Sequence, residues 1–126
     1  MSVCVVHGCA PGGYYRVDFW GEIDLFAAPD VRAALHGLAN SECRDVLLEV
    51  SRLTFLDVVG ARLLGEFLEV TRSRGGRLTV RAPTRQVARI LEVTELAEKV
   101  DVERSGQPGR WLPVQVGPED WRSSLN

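Results

Sequence analysis

Val46-Leu47-Leu48-Glu49-Val50-Ser51-Arg52-Leu53-Thr54-Phe55-Leu56-Asp57-Val58-Val59-Gly60 is the stretch whose reading decides the fold. Its first five residues are apolar except for Glu49, a pattern that suits a strand covered on both faces, as in a parallel sheet. Ser51 to Leu56 then leads into a helix for which Asp57 is a good N-cap, since a carboxylate there accepts a hydrogen bond from an unpaired first-turn N–H. Val59, Leu63 and Phe67 form one i, i+4 row and Leu64 and Leu68 another, so a broad face of that helix is apolar.

The flanking segments extend this pattern. Upstream, Val3-Cys4-Val5-Val6 has strand propensity, and Gly8-Cys9-Ala10-Pro11-Gly12-Gly13 is dense in residues that break regular structure. From Tyr14 to Trp20 the chain alternates, with Tyr15, Val17 and Phe19 on one face and Arg16 and Asp18 on the other; the two strands read as a hairpin. Pro29 suits the first turn of a helix, on which Val31, Ala34, Leu35 and Leu38 make an apolar stripe ending near Asn40-Ser41. Downstream, Gly75-Gly76 stops the central helix, and Leu78-Thr79-Val80 is a short strand. Thr84 caps a helix bearing Val87, Ile90 and Leu91, and a further helical turn is predicted around Glu95 to Val100. The order ββαβαβα(α) calls for an α/β single domain: a small mixed β-sheet of about four strands with helices packed mainly on one face.

Composition narrows the function classes. One domain is the natural reading of 126 residues, and 45% hydrophobic content suffices for one core. A net charge of -2 gives no reason to expect nucleic acid or an anionic membrane as partner. Arg72, Arg74, Arg77, Arg81, Arg85 and Arg89 form the strongest basic cluster, but Glu92, Glu95, Glu98, Asp101 and Glu103 follow at once. A solvated, dipolar surface accounts for both. The N-terminal residues lack the basic segment and the apolar run of a signal peptide, and no stretch approaches the roughly 20 apolar residues that span a bilayer. A cytoplasmic protein without membrane insertion is expected.

Cys4, Cys9 and Cys43 are odd in number and include no C-x-x-C pair, which argues against a disulfide framework. Cys4, His7 and Cys9 could supply three soft ligands, but a structural zinc site wants four and no second ligand pair stands at a suitable spacing; no metal and no cofactor is expected. Asp24 and Asp57 could in principle serve acid–base chemistry or hold Mg²⁺. Without a His, Cys or Ser nucleophile in any motif, they read instead as a turn residue and a helix cap, and no catalytic residue is assigned. The glycine pairs Gly12-Gly13 and Gly75-Gly76 lack a phosphate-loop context and are turns.

After Ser105 the periodicity fades, yet the last residues hold Trp111 and Trp121 with Leu112, Val114 and Val116 between them. Exposing that much apolar surface is costly, so a tail folding back over the domain is expected, with a partner-docking segment as the alternative. The division expected is a domain over 1–104 and a C-terminal extension over 105–126.

The pieces Gly21-Glu22-Ile23-Asp24, Leu47-Leu48-Glu49-Val50-Ser51, Thr54-Phe55-Leu56-Asp57, Gly60, Arg74-Gly75-Gly76-Arg77-Leu78 and Arg89-Ile90-Leu91-Glu92-Val93-Thr94 occur in an order and spacing that resemble the STAS domains of anti-sigma factor antagonists. The resemblance covers roughly residues 3 to 100 and implies a non-enzymatic protein-binding regulator. Its expected partner is an anti-sigma factor of the ATP-binding switch-kinase type; a homodimer is compatible with it. Such antagonists usually carry Asp-Ser-Ser-Gly or Asp-Ser-Thr-Gly where this chain has Asp57-Val58-Val59-Gly60, and the first hydroxyl is phosphorylated. That position is Val58, so no phospho-acceptor is expected there. A phosphate adds about -1.5 to -2 charges to an apolar contact; valine stays apolar and uncharged. The partner surface implied is Asp24, Phe26, Asp57, Val58, Gly60, Ala61 and Arg62, of which Asp24, Asp57 and Gly60 match the motif and the others follow by adjacency. Val59 is expected to pack inward, and Ser51 and Thr54 are alternative modification sites. A second reading keeps the fold as a degenerate STAS scaffold or subunit in a signalling or transporter-associated assembly. A third, an enzyme, rests on the two carboxylates alone.

Overall fold

A computed structural model describes residues 3–10 and 13–104 of the chain; Trp111, Trp121 and the rest of the predicted extension lie outside the described residues. The element order is β1 (Cys4–Ala10), β2 (Tyr14–Ile23), α1 (Ala28–Ala39), β3 (Asp45–Leu56), α2 (Val58–Ser73), β4 (Leu78–Arg81), α3 (Arg85–Val93) and β5 (Asp101–Glu103), with 3-10 turns at Leu25–Ala27 and Leu96–Glu98. The sheet runs β1-β2-β3-β4-β5 in chain order. β1 pairs antiparallel with β2, and every later pair is parallel.

Register explains which face is buried. Tyr15 stands beside Val46 and Val17 beside Leu48, so one face of the sheet carries Tyr15, Val17, Phe19, Val46, Leu48 and Val50. These residues form a single buried cluster with Val31, Ala34 and Leu38 of α1, Leu63, Leu64 and Phe67 of α2, and Val87 and Leu91 of α3. Phe19 and Phe67 meet edge to face at its centre, ring centroids 6.3 Å apart. The Tyr15 hydroxyl donates to the Ala34 carbonyl at 2.9 Å, fixing α1 to the sheet without leaving a buried polar atom unpaired. On the other face, ion pairs replace helices: Arg16 Nε to Asp18 at 2.8 Å and Arg81 Nε to Glu49 at 3.2 Å across β3 and β4, with the His7 imidazole 3.3 Å from Asp18. Burial pulls the Arg81 guanidinium below its ordinary pKa, and the neighbouring Glu49 acts against that shift.

Four features depart from the sequence reading. β1 runs on through Gly8 and Cys9, because Gly8 at φ +74° absorbs a bulge where the register to β2 shifts. β3 does not end at Val50: Ser51 to Leu56 continue the strand alongside Trp20–Ile23, which carry β2 past its predicted end. A fifth strand, Asp101-Val102-Glu103, pairs with Thr79-Val80-Arg81; three residues, two of them acidic, offer no strand signal without that neighbour. Finally, Cys9 and Cys43 are joined by a disulfide, their Cα atoms 5.9 Å apart across 34 positions of sequence, against the expectation drawn from the odd count. Pairing of Cys9 with Tyr15 and of Tyr14 with Asp45 brings both cysteines to one end of β2, a proximity that sequence spacing does not encode.

Candidate functional site

β2 and β3 are parallel and finish side by side, with Ile23 opposite Leu56. The turns that follow them therefore emerge together at one edge of the sheet, and each is organised by an aspartate. Asp24 accepts a hydrogen bond from the Phe26 amide at 2.9 Å and starts the 3-10 turn. Asp57 accepts from the Gly60 amide at 2.7 Å and caps α2, the role its sequence position predicted. The Asp57 amide in turn donates to the Ile23 carbonyl at 3.5 Å, linking the turns. Both carboxylates are thus engaged as caps.

The consequence is an exposed apolar surface. Phe26 is 90% exposed, Leu25 67%, Val58 47%, Val59 41% and Phe55 40%. Arg62, one turn further along α2, is also exposed. Large apolar side chains gathered at one edge of a monomer mark an interaction surface. Val59 therefore corrects the expectation that it packs inward: it shares the i, i+4 row of Leu63 and Phe67, but in the first turn of α2 it is exposed where they are buried.

Gly60 and Ala61, predicted for the surface, are buried. A Cβ on Gly60 would meet the Ile23 carbonyl oxygen at 2.3 Å, Leu56 Cδ1 at 2.7 Å and Ile23 Cγ2 at 2.9 Å. Glycine at this position lets α2 approach the end of β2, and so brings the two turns together. The structure thus unites Asp24, Phe26, Asp57, Val58 and Arg62 at one edge and places Gly60 and Ala61 beneath it. Ser51 and Thr54 are exposed on β3, and Thr54 Oγ1 donates to the Gly21 carbonyl at 2.9 Å.

One supporting residue has no sequence signal. Gln86, at the start of α3, reaches across 30 positions of sequence to the backbone of Leu56: its Oε1 accepts from the Leu56 amide at 2.9 Å and its Nε2 donates to the Leu56 carbonyl at 2.8 Å. A side-chain amide here does what another strand would do, completing the end of β3 one residue before Asp57. Beyond Val58, an open groove of about 710 Å³ follows α2, lined by Arg62, Glu66, Glu69 and Arg72 on one side and by Leu96 and Lys99 on the other. The predicted arginine cluster is not presented as one patch: Arg77 pairs with Asp101 at 2.6 Å, Arg81 with Glu49, and Arg74 donates to the carbonyls of Ala39 and Cys43. Among the described residues no group of three or more His, Cys, Asp or Glu is placed to hold a metal ion, and no helix is long and apolar enough to cross a membrane.

Known proteins resemble this chain in sequence and in fold. The anti-sigma-B factor antagonist of Bacillus subtilis is 23% identical over 94 residues, spanning 75% of this chain and 85% of its own. That of Staphylococcus aureus is 21% identical over 89 residues, 71% of this chain and 82% of its own. Among solved structures, an anti-sigma factor antagonist from Mycobacterium paratuberculosis superposes with a TM-score of 0.70 at 21% identity, covering 84% of this chain and 92% of the other. The STAS domain pattern itself matches residues 11–107, which takes in everything from β2 to β5. With that match over most of its length, and with the sheet order and helix placement to accompany it, the chain belongs to the STAS domain family.

Proposed function

We propose that this protein is a cytoplasmic, non-enzymatic antagonist of an anti-sigma factor, that it binds an anti-sigma factor of the ATP-binding switch-kinase type through the Phe26–Val58 edge, and that it does so without phosphorylation at position 58. The observation that carries this reading is the exposed apolar surface around the capped start of α2, where Val58 is 47% exposed and Phe26 90%. A hydroxyl at this position would present its phosphate to the helix N-terminus and to a partner together. Valine offers only a surface that buries well. Leu25, Phe26, Phe55, Val58 and Val59 supply the apolar contact and Arg62 a charge at its rim. Asp24 and Asp57 hold the turns, and Gly60 and Ala61 set the height of α2 against the sheet. The unit that carries the function is the domain over residues 1–104.

Val58→Glu tests the surface with little risk to the fold, because an acidic side chain in the first turn of a helix is favoured by the helix dipole by roughly 0.3–1 kcal/mol. Capture from the native cytoplasm, followed by mass spectrometry, should recover an ATP-binding anti-sigma factor with the wild-type chain and lose it with Val58→Glu and with Phe26→Ala. Incubation with that partner and ATP should leave wild-type affinity unchanged, whereas Val58→Ser should become phosphorylated and release. ATP-dependent loss of wild-type binding would overturn the switchless reading. Capture of other STAS proteins or a transporter, indifferent to Val58→Glu, would overturn the choice of partner and surface.

A further inference from the structure

At the end of the sheet opposite Val58, Cys9 is exposed in β1 and Cys43 is buried in the turn before β3. They are joined as a disulfide at the floor of an open hollow of about 470 Å³ lined by Gly13, Glu42, Arg44 and Asp45. We propose that Cys9 and Cys43 are a reversible thiol oxidation site, closed by a peroxide and opened by a small dithiol. This goes beyond the partner-binding function and does not depend on it.

Three observations carry the proposal. The first is that each cysteine is held in place by bonds that do not involve sulfur. Cys9 is paired with Tyr15 in the β1–β2 ladder. The Cys43 turn is held by Arg74, whose guanidinium donates to the Cys43 carbonyl at 2.8 Å and the Ala39 carbonyl at 2.6 Å, and by the Cys43 amide donating to Ser41 Oγ at 3.3 Å. With Cα atoms 5.9 Å apart, inside the usual disulfide range of about 4.4–6.8 Å, the pair can open and re-form without moving the backbone. Secondly, Cys9 lies outside the buried cluster, and Cys43, which belongs to it, is one small side chain among many aliphatic and aromatic ones that run from β1 to α3. Thirdly, access is one-sided. An attacking thiolate can reach the exposed Cys9 sulfur, whereas Cys4 is buried beneath α1, where burial first and Asp30 second push its thiol above its ordinary pKa and keep it in the unreactive protonated form.

The chemistry balances in both directions. In closing, the Cys9 thiol gives up its proton and the thiolate attacks a peroxide oxygen; the S–O bond forms, the O–O bond breaks, and the leaving hydroxide takes up that proton as water. The Cys43 thiol then displaces the sulfenic hydroxyl, its proton leaving with it as a second water, and the S–S bond forms. The protein loses two electrons and the peroxide gains them. In opening, one thiolate of the dithiol attacks Cys9 and Cys43 leaves and takes up a proton. The second thiol of the dithiol resolves the mixed disulfide, returning the Cys9 thiol and an oxidised dithiol.

The test uses the full chain, reduced with dithiothreitol, desalted, and exposed to hydrogen peroxide. Titratable thiols should fall from three to one. Digestion with trypsin without reductant should link the peptide 1–16, which holds Cys4 and Cys9, to 33–44, which holds Cys43. The link should survive Cys4→Ala and vanish in Cys9→Ser. A second round of dithiothreitol should restore all three thiols with an unchanged circular dichroism spectrum. Closing a loop of this length should raise Tm by on the order of 10 °C. Three titratable thiols after peroxide, a link that persists in Cys9→Ser, or unfolding of the reduced chain would each overturn the proposal, the last by making the bond a structural requirement.

Discussion

Position 58 directly follows the N-cap of α2, so its side chain projects from a point where the backbone is fixed by Asp57. A substitution there changes surface chemistry while the fold stays constant, which is why Val58→Glu separates binding from stability. The residues beneath it behave in the opposite way. Gly60→Ala would push a methyl group against the Ile23 carbonyl oxygen, a backbone atom with nowhere to go. It should destabilise the domain by about 1–3 kcal/mol in urea denaturation, and weaken partner binding by displacing α2. Asp57→Ala should cost about 1 kcal/mol, because the Gly60 amide loses its acceptor. Leu25 and Phe55 are the exposed apolar residues that position alone did not find. They have the composition of core side chains, and their exposure follows from the geometry of the turns, not from their chemistry.

At the level of the elements, the end of β3 decides where the site sits. Ser51 to Leu56 reads as a connection because the polar residues Ser51, Arg52 and Thr54 interrupt the apolar run. It is a strand because β2 extends to match it and Gln86 closes its other side. Gln86→Ala should therefore free both the amide and the carbonyl of Leu56, cost about 1–3 kcal/mol, and accelerate hydrogen exchange of the Leu56 amide relative to those of Leu47 and Leu48. Gln86→Glu should recover the bond to the amide but not that to the carbonyl, giving an intermediate exchange rate. If Gln86→Ala left exchange at Leu56 unchanged, Gln86 would not be what holds the strand end.

At the scale of the whole fold, among the described residues, one helical layer on one sheet face leaves the other face to ion pairs, and a single apolar cluster connects α1, α2 and α3 to the sheet. Phe67 is the point at which this connection is tightest, fully buried on α2 and edge-on to Phe19. Phe67→Ala should cost about 3–5 kcal/mol, and the loss should appear as one cooperative transition seen alike by near- and far-ultraviolet circular dichroism. Separate transitions for α2 and for the β1–β2 hairpin would contradict a single core. The two functional assignments sit at opposite ends of this unit: the apolar edge at the carboxyl ends of β2 and β3, and the cysteine pair at their amino ends. Oxidation can therefore brace the β1 edge without covering the surface around Val58.

The sequence by itself determined the helices, the alternation of β2, the Asp24 turn and the Asp57 cap, because these are written in short-range spacing: apolar side chains at a fixed period and a carboxylate next to unpaired amides; the family was legible as a resemblance of short motifs in order. The same resemblance singled out Val58, which stands where the family motif has its first hydroxyl. Only the tertiary structure decided the lengths of β2 and β3, the existence of β5, the outward position of Val59, the burial of Gly60 and Ala61, the brace from Gln86, and the meeting of Cys9 with Cys43. Each of these depends on a neighbour distant in sequence, 22 positions for β5, 30 for Gln86 and 34 for the cysteines, or on which side of a packed layer a side chain falls. Proximity of that kind is created by the sheet when it forms and has no period in the chain.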